Sequence, residues 1–538
     1  MTARLNRNLI SLFLSLLSSA ILFLSFPPFD QGCLAWAGLL PLFLAMRYSS
    51  LWKGFLFSGI CGAFFFLGLF NWILQVSSYR WYHHALLDLY LGAYFGIFGL
   101  AFAFVSRRIS LTAALWSAPF LWVGMEYIRS NSFFLALPWG LLGHTQYRYP
   151  MVIQIAALFG TYSISFLIVL VNAALAVMIY SVFTYHRNSV NRLKTGLLKK
   201  TEMTSILGAV LAVSFALVYG QCSISRPIRG RSIKVSIIQG NIEQSKKWDP
   251  EYADEIVRIY NDLTLHAAAD NPALIIWPET ATPGLITMNP EIYREVENLV
   301  QKTATPLIFG SARYQKFQTD ETPGLNLINS AFLMVPGNNK PGLQQYNKIR
   351  LFPFGEYLPF KSLIPWKWIG VSSLSEYIPG EEYTVFHLSP NRFGVTICWE
   401  NIFPGLVRQF VKRGAQFIVN ITNEARFGKT AAPHQLVAIN VFRAVENGVY
   451  IIRCANTGVS CIIDFHGRIV KRLQDEEGQD LFVRGILYGT ITPMESKTLY
   501  LSKGYLFPIL VVGVCLVLIF IAWWKPLAKG RIARDTKQ

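Results

Sequence analysis

Cysteine, histidine and acidic residues are all scarce in this chain of 538 residues, and each shortage closes off a class of protein. The seven cysteines (Cys33, Cys61, Cys222, Cys398, Cys454, Cys461 and Cys515) contain no C-x-x-C pair, and the eight histidines form no group at metal-ligand spacing. Neither a metal site, a redox centre nor another cofactor is expected. Charged residues are 15% of the chain against 52% hydrophobic, too apolar a balance for an ordinary soluble protein, so membrane spans are expected. Repeats and low-complexity tracts are also missing. With 31 acidic residues against 49 basic, the net charge is +18, but the basic residues lie mainly in short segments beside apolar runs rather than along one folded face. That pattern fits membrane orientation and argues against nucleic acid as a partner.

What is there in abundance is long apolar sequence. Runs near 9–25, 33–46, 54–77, 85–105, 111–128, 152–184, 204–220 and 505–524 give an expected multi-pass α-helical bundle of eight spans, the short second run being the weakest against the roughly 20 residues a span needs. The first run, behind Arg4 and Arg7, reads as a span rather than a cleaved signal peptide, because another apolar run follows almost at once and the small-residue cleavage pattern is poor. Eight crossings put both termini on one side. There lie Arg4, Arg7, Arg47, Lys53, Arg107, Arg108, the cluster from Arg187 to Lys200, and Lys525, Lys529, Arg531 and Arg534; the opposite short loops hold only Arg80, Arg129 and Arg148. The positive-inside rule then makes both termini cytoplasmic and the long segment between the seventh and eighth spans exocytoplasmic. The expected division is 1–221 for seven helices, 222–503 for an outer domain, and 504–538 for the eighth helix with a basic tail.

The outer segment has a different grammar. Short β-like runs at Ile233–Ile238, Ala273–Trp277, Pro306–Phe309, Asn329–Val335, Phe393–Ile397, Phe417–Ile421, Val449–Cys454 and Ser460–Ile463 alternate with helical patterns at 252–268, 292–303 and 434–447, an α/β domain of about 260 residues. Asp464 to Arg468, with His466-Gly467, is a hairpin turn signal, and a two-residue turn at Thr457-Gly458 would set Cys454 opposite Cys461.

Three stretches of this domain place an ionisable residue just after an apolar strand or inside an aromatic and proline-rich context. LIIWPETATPG supplies Glu279, YNKIRLFPFGEYLPF supplies Lys348 and Glu356, and ICWEN supplies Cys398 and Glu400. Cys398 stands where a strand hands over to a helix opened by Pro404, a junction whose converging N–H groups favour a thiolate and an oxyanion beside it. Each stretch alone is weak, since a lone cysteine is often a small buried hydrophobe and a loop lysine a solvated charge; the order Glu, Lys, Cys is far more specific.

On these motifs the segment from about Ser232 to Asp480 resembles the carbon–nitrogen hydrolase (nitrilase) superfamily. With eight spans around it and the stretches QGNIEQSKKW, NKIRLFPFGEYLPF and CWEN, nearly the whole chain is similar to the apolipoprotein N-acyltransferase family, the membrane-embedded branch. The resemblance implies an α-β-β-α sandwich, a catalytic triad on Glu279, Lys348 and Cys398, and supporting roles for Trp248, Glu356, Trp399 and Glu400. It also implies transfer of an acyl chain from a phospholipid donor to the α-amine of a diacylglyceryl-modified lipoprotein acceptor, at a bacterial inner membrane. Trp399 departs from the tyrosine frequent after the nucleophile in that family and has no hydroxyl to bond with. Chemically, a cysteine thioester divides ester-to-amide transfer into two easier steps, with Glu279 carrying the proton and Lys348 facing the oxyanion. Glu356 and Glu400 are expected to orient Lys348 and bond loop amides.

Between Lys348 and Cys398 the loop carries Leu351, Phe352, Phe354, Tyr357, Leu358, Phe360, Leu363, Ile364, Trp366, Trp368 and Ile369, half of them expected in the core and the rest as arms in the bilayer interface, where Lys361 and Lys367 suit headgroups. His83-His84 read as interfacial rather than metal-binding, Asp88 and Glu126 as span-end charges, and Leu137 to Gly140 as a re-entrant break in which Trp139 is a candidate substrate contact. Two other readings compete: a membrane-anchored amidase or nitrilase that uses water as the second nucleophile, and a transporter or receptor whose outer domain only binds. The first has no need of eight spans and an apolar loop; the second predicts paired charges in mid-span, which the runs nearly lack.

Overall fold

The computed structural model describes residues 2–47, 49–77, 79–187, 200–228, 230–318, 323–337, 343–361, 363–364, 366–369 and 377–525. The chain divides into two compact units, one of residues 1–74, 79–224 and 503–538, the other of 75–78 and 225–502.

Among the described residues of the first unit, six helices are long and apolar enough to cross a membrane: Asn6–Leu24, Leu51–Leu69, Trp81–Arg108, Thr161–Phe183, Glu202–Ile224 and Leu506–Trp524. The expected count of eight is thus met only in part. The run 33–46 folds as two short helices, Ala35–Gly38 and Leu40–Met46, interrupted at Leu39 before Pro41. The run 111–128 is a helix, Leu111–Ser130, that is not among these six, and Glu126 and Arg129 lie in its last turns. Those charges have local work: Arg129 Nη1 donates to the carbonyls of Leu137 (2.9 Å) and Trp139 (2.7 Å), and Glu126 Oε1 accepts from Leu142 N–H at 2.8 Å. They satisfy the irregular backbone of the 137–142 break, which water cannot reach in a bilayer. Trp139 is buried and stacks on Trp72 at 5.3 Å. His84 is buried too, 3.6 Å from Asp88.

The helices Leu51–Leu69 and Trp81–Arg108 meet through small residues. A Cβ on Gly99 would stand 2.2 Å from the Gly54 carbonyl oxygen, and one on Gly92 would stand 2.8 Å from Ala63 N. Glycine on both sides lets the backbones close to contact, the packing mode open to helices when the surrounding lipid is as apolar as they are.

Among the described residues the second unit has twelve strands: Ile233–Gln239 (β1), Leu274–Ile276 (β2), Leu307–Gln318 (β3), Pro323–Met334 (β4), Gln344–Asn347 (β5), Val385–Leu388 (β6), Asn391–Ile397 (β7), Phe417–Thr422 (β8), Tyr450–Ala455 (β9), Cys461–Ile463 (β10), Ile469–Arg472 (β11) and Gly485–Ile491 (β12). They form two six-stranded sheets in the orders β12-β1-β2-β3-β4-β5 and β11-β10-β9-β8-β7-β6. Parallel triplets, β1-β2-β3 and β7-β8-β9, lie at the two centres. Every residue of β2, β8 and β9 is buried, as sheet centres covered on both faces require. Helices Ala253–Ala268 and Pro290–Thr303 pack on the first sheet, and Pro404–Lys412 and Ala432–Asn447 on the second. The inner faces meet: Cys454 Sγ on β9 lies 3.4 Å from the Ile238 carbonyl on β1. This is the α-β-β-α sandwich.

Cys454 and Cys461 do not stand opposite each other as a two-residue turn at Thr457-Gly458 would set them. Cys461 stands opposite Arg453, and both cysteines are free thiols. The turn is longer than two residues, because Ser460 folds back to accept the Ala455 N–H at 3.0 Å, and the shift of one position sends the two sulfurs to opposite faces.

Candidate active site

Strand β7 delivers Cys398 to the end of the second sheet in an unusual conformation. Its φ is +56°, in the left-handed region that non-glycine residues avoid, and a short 3₁₀ turn, Cys398–Ile402, intervenes before the helix at Pro404. The residue as a whole is half-buried.

Glu279 follows β2 across Pro278. Its carboxylate is held on both oxygens: Oε1 accepts from Asn329 Nδ2 at 2.8 Å, and Oε2 from the Asn423 N–H at 2.8 Å. Gly310 makes room for this turn, since a Cβ there would sit 2.7 Å from Glu279 Cα. Lys348 leaves the end of β5 and is 1% exposed. Its ammonium lies 2.8 Å from Glu356 Oε1 and 3.6 Å from Glu279 Oε1. Glu356 also accepts the Phe352 N–H on Oε2 at 2.7 Å, closing the loop that bears it. Glu400, fully buried, accepts from Tyr346 Oη (2.8 Å) and from the N–H groups of Ile349 (2.7 Å), Arg350 (3.0 Å) and Ile397 (2.8 Å). It ties the loop after Lys348 to the end of β7.

Charge follows from this packing. Burial pulls the Lys348 ammonium down, but Glu356 and Glu279 outweigh it and hold the group above its ordinary value. Burial, then the negative charge of Glu279, push the Cys398 thiol up to about 12 against the pull of Lys348. The expectation that the strand–helix junction favours a thiolate is therefore corrected: Lys348 acts in the expected sense, but desolvation and an adjacent carboxylate dominate. A thiol protonated at neutral pH needs a base to react, and Glu279 is the carboxylate whose charge it feels most.

The expected site residues thus fall unevenly. Glu279, Lys348, Glu356 and Cys398 share one electrostatic environment, and Glu400 braces it from below. Trp399 is buried; its indole N–H donates to the Arg350 carbonyl at 2.7 Å and its ring meets Phe352 and Phe403 edge to face, so an aromatic donor is present without a tyrosine hydroxyl. Trp248 is 46% exposed, whereas its neighbour Lys247 is buried and donates to the Glu279 carbonyl at 3.0 Å. Burial drives the Lys247 ammonium down to about 7, with Glu279 opposing. Asn329, Asn423 and Lys247 escaped the sequence reading; the nearest signal is NITNEARFG, which again sets polar residues straight after a strand, β8.

Of the loop after Lys348, Leu351 is core, while Phe354, Phe360, Leu363 and Trp368 are exposed, the last two at 77% and 89%. Trp366 folds inward, donating to the Pro359 carbonyl at 2.6 Å. The side chain of Lys367 lies outside the described residues.

Residues 18–174 match the family model "Apolipoprotein N-acyltransferase N-terminal domain", and residues 234–497 match "Carbon-nitrogen hydrolase". Among curated proteins, the apolipoprotein N-acyltransferase of Geobacter metallireducens is 35% identical over 506 residues, covering 92% of each chain. That of Chlorobaculum tepidum is 27% identical, covering 95% of this chain and 96% of its own. That of Pasteurella multocida is 28% identical, covering 98% of both.

Proposed function

Since this chain belongs to the apolipoprotein N-acyltransferase family, we propose that it carries out acyl transfer in lipoprotein maturation through a thioester on Cys398, with phospholipid as donor and the α-amine of a diacylglyceryl-modified N-terminal cysteine as acceptor. The observation that carries the reading is a carboxylate and an ammonium held 3.6 Å apart beside a thiol on a left-handed turn.

Glu279 takes the thiol proton as sulfur bonds to the ester carbonyl carbon, and the oxyanion develops against the Lys348 ammonium. The ester C–O bond breaks, Glu279 returns the proton to the departing lysophospholipid oxygen, and the acyl group remains on sulfur. The acceptor amine then attacks the thioester carbonyl and passes a proton to Glu279; the C–S bond breaks, leaving an amide and the sulfur, which recovers its proton from Glu279. Lys348 is shared between two carboxylates and held charged, which suits it to the oxyanion and unsuits it to be the base. Glu356 and Glu400 serve as holders of Lys348 and of loop amides, and Trp399 locks the Arg350 loop over the turn.

The exposed Leu363 and Trp368 support a loop that enters the lipid interface. The lysine and arginine asymmetry supports a protein of the bacterial inner membrane with eight crossings, both termini cytoplasmic and the 222–503 domain on the outer face. The basic residues 529–534 and most of the 187–200 cluster lie outside the described residues.

Intact-mass measurement of purified enzyme incubated with phospholipid alone tests the chemistry. One acyl chain should add to the wild type and none to Cys398→Ala; an adduct surviving in that variant overturns the assignment of the nucleophile.

A further inference from the structure

Behind the nucleophile runs a row of buried polar residues with no part in the steps above. The parallel register of β7, β8 and β9 sets Thr396, Asn420 and Arg453 side by side across three strands, all fully buried. Asn420 Nδ2 donates to the Cys398 carbonyl at 3.1 Å, and to the Thr396 carbonyl and hydroxyl at 3.2 and 3.1 Å. Arg453 Nη1 donates to Asn420 Oδ1 at 2.6 Å, and Asn440 Nδ2 approaches the same oxygen at 3.3 Å. Arg453 is itself paired with the buried carboxylate of Glu424.

The chemistry of this row leaves one orientation for the amide. A guanidinium can only donate, so the Asn420 atom facing it must be the oxygen, and the NH₂ group is turned toward the carbonyls of Thr396 and Cys398, which can only accept. The bond therefore falls on the backbone of the one residue in the site whose thiol must react and whose φ is left-handed. Such a conformation is strained and persists only where the surroundings over-determine it. Asn420 supplies that constraint from one side, and the backbone ladder of β7 to β8 supplies it from the strand below.

We propose that Asn420, fixed by Arg453, is a positioning residue for the acyl transfer reaction: it pins the Cys398 carbonyl and so sets where the sulfur stands relative to Glu279 and Lys348. The inference rests on the reading of Cys398 as nucleophile. It predicts loss in the chemical step rather than in donor binding, since displacement of a reacting atom by about 1 Å costs on the order of a hundredfold in rate.

The test uses the full-length enzyme in detergent with phospholipid, following acyl-adduct formation by mass and thermal melting in parallel. Asn420→Ala should lower the maximal acylation rate about a hundredfold with KM for phospholipid within twofold of wild type. Thr396→Val, which removes one partner of the amide and little volume, should lose about tenfold. Asn447→Ala is the control for burial alone: Asn447 is as deeply buried, but donates to the Arg443 carbonyl, away from Cys398. Its acylation rate should stay near wild type even where its melting temperature falls. Should Asn420→Ala fail to fold, Asn420→Ser and Thr396→Val carry the test. Wild-type maximal rates in the folded Asn420 and Thr396 variants, or an equal fall in Asn447→Ala at equal loss of melting temperature, overturn the proposal while the Cys398 adduct stands. A wild-type adduct on another residue overturns both.

Discussion

The Cys398 thiol is held protonated by its surroundings, and the two groups beside it pull in opposite directions. Burial and the Glu279 carboxylate raise its pKa to about 12, and Lys348 lowers it. Removing the anion in Glu279→Gln should therefore bring the thiolate in at lower pH, and removing the cation in Lys348→Met should delay it to higher pH. The pH dependence of iodoacetamide alkylation, read as mass gain on Cys398, checks both signs. Phospholipid acylation should fall at least a hundredfold in either variant, so that in Glu279→Gln a more readily ionised sulfur acylates more slowly. That divergence would separate a base from a source of charge. Glu356→Gln leaves Lys348 without its 2.8 Å carboxylate partner and should slow acylation about tenfold with little change in KM. At this scale the groups proposed to react are legible in the sequence, because Glu279, Lys348 and Cys398 each interrupt an apolar context. It does not show Asn329, Asn423 or Lys247, whose contacts depend on segments 50 to 144 positions away in the chain, or 32 for Lys247, folding together.

Among elements, legibility follows burial. The eight strands read from sequence occupy the inner positions of the two sheets, where residues are buried on both faces and the runs are continuously apolar. The four that were missed, β5, β6, β11 and β12, are the four sheet edges. Gln344–Asn347 is polar, and in Gly485–Ile491 inward and outward positions alternate, so neither leaves an apolar run to find. In the membrane unit the same limit appears in another form: hydropathy finds helices but not what they pack on, and the glycines of the pair Leu51–Leu69 and Trp81–Arg108 look like helix-weakening residues until the backbones meet. Gly99→Leu would drive a side chain into the Gly54 carbonyl and should prevent recovery of a monodisperse, thermally stable enzyme; Gly513→Leu, where a Cβ meets nothing within 4 Å, should be tolerated. The loop after Lys348 divides likewise. Leu363→Glu with Trp368→Glu should raise KM for phospholipid in vesicles at least tenfold and leave acylation by a short water-soluble ester unchanged, which separates lipid capture from chemistry.

For the whole molecule the argument turns from packing to charge. Hydropathy and basic-residue counts are properties of the chain before it folds, and they speak to orientation in a way that contacts within each unit do not. Long apolar helices make the bundle legible, yet a span count taken from sequence treats every apolar run as a crossing, whereas 33–46 folds as short helices and 111–128, with Glu126 and Arg129 in its last turns, also stands apart from the other six. The positive-inside reading, taken on eight crossings, makes a prediction of its own, since it assigns sides to loops. In a background with Cys33, Cys222 and Cys398 replaced, the remaining cysteines are buried. A membrane-impermeant maleimide applied to intact spheroplasts should then label Glu476→Cys, an exposed position of the α/β unit, and should label Thr536→Cys only after permeabilisation. Labelling of residue 536 from outside, with residue 476 protected, would put the thiol on the cytoplasmic side, where the proposed lipoprotein acceptor has already left.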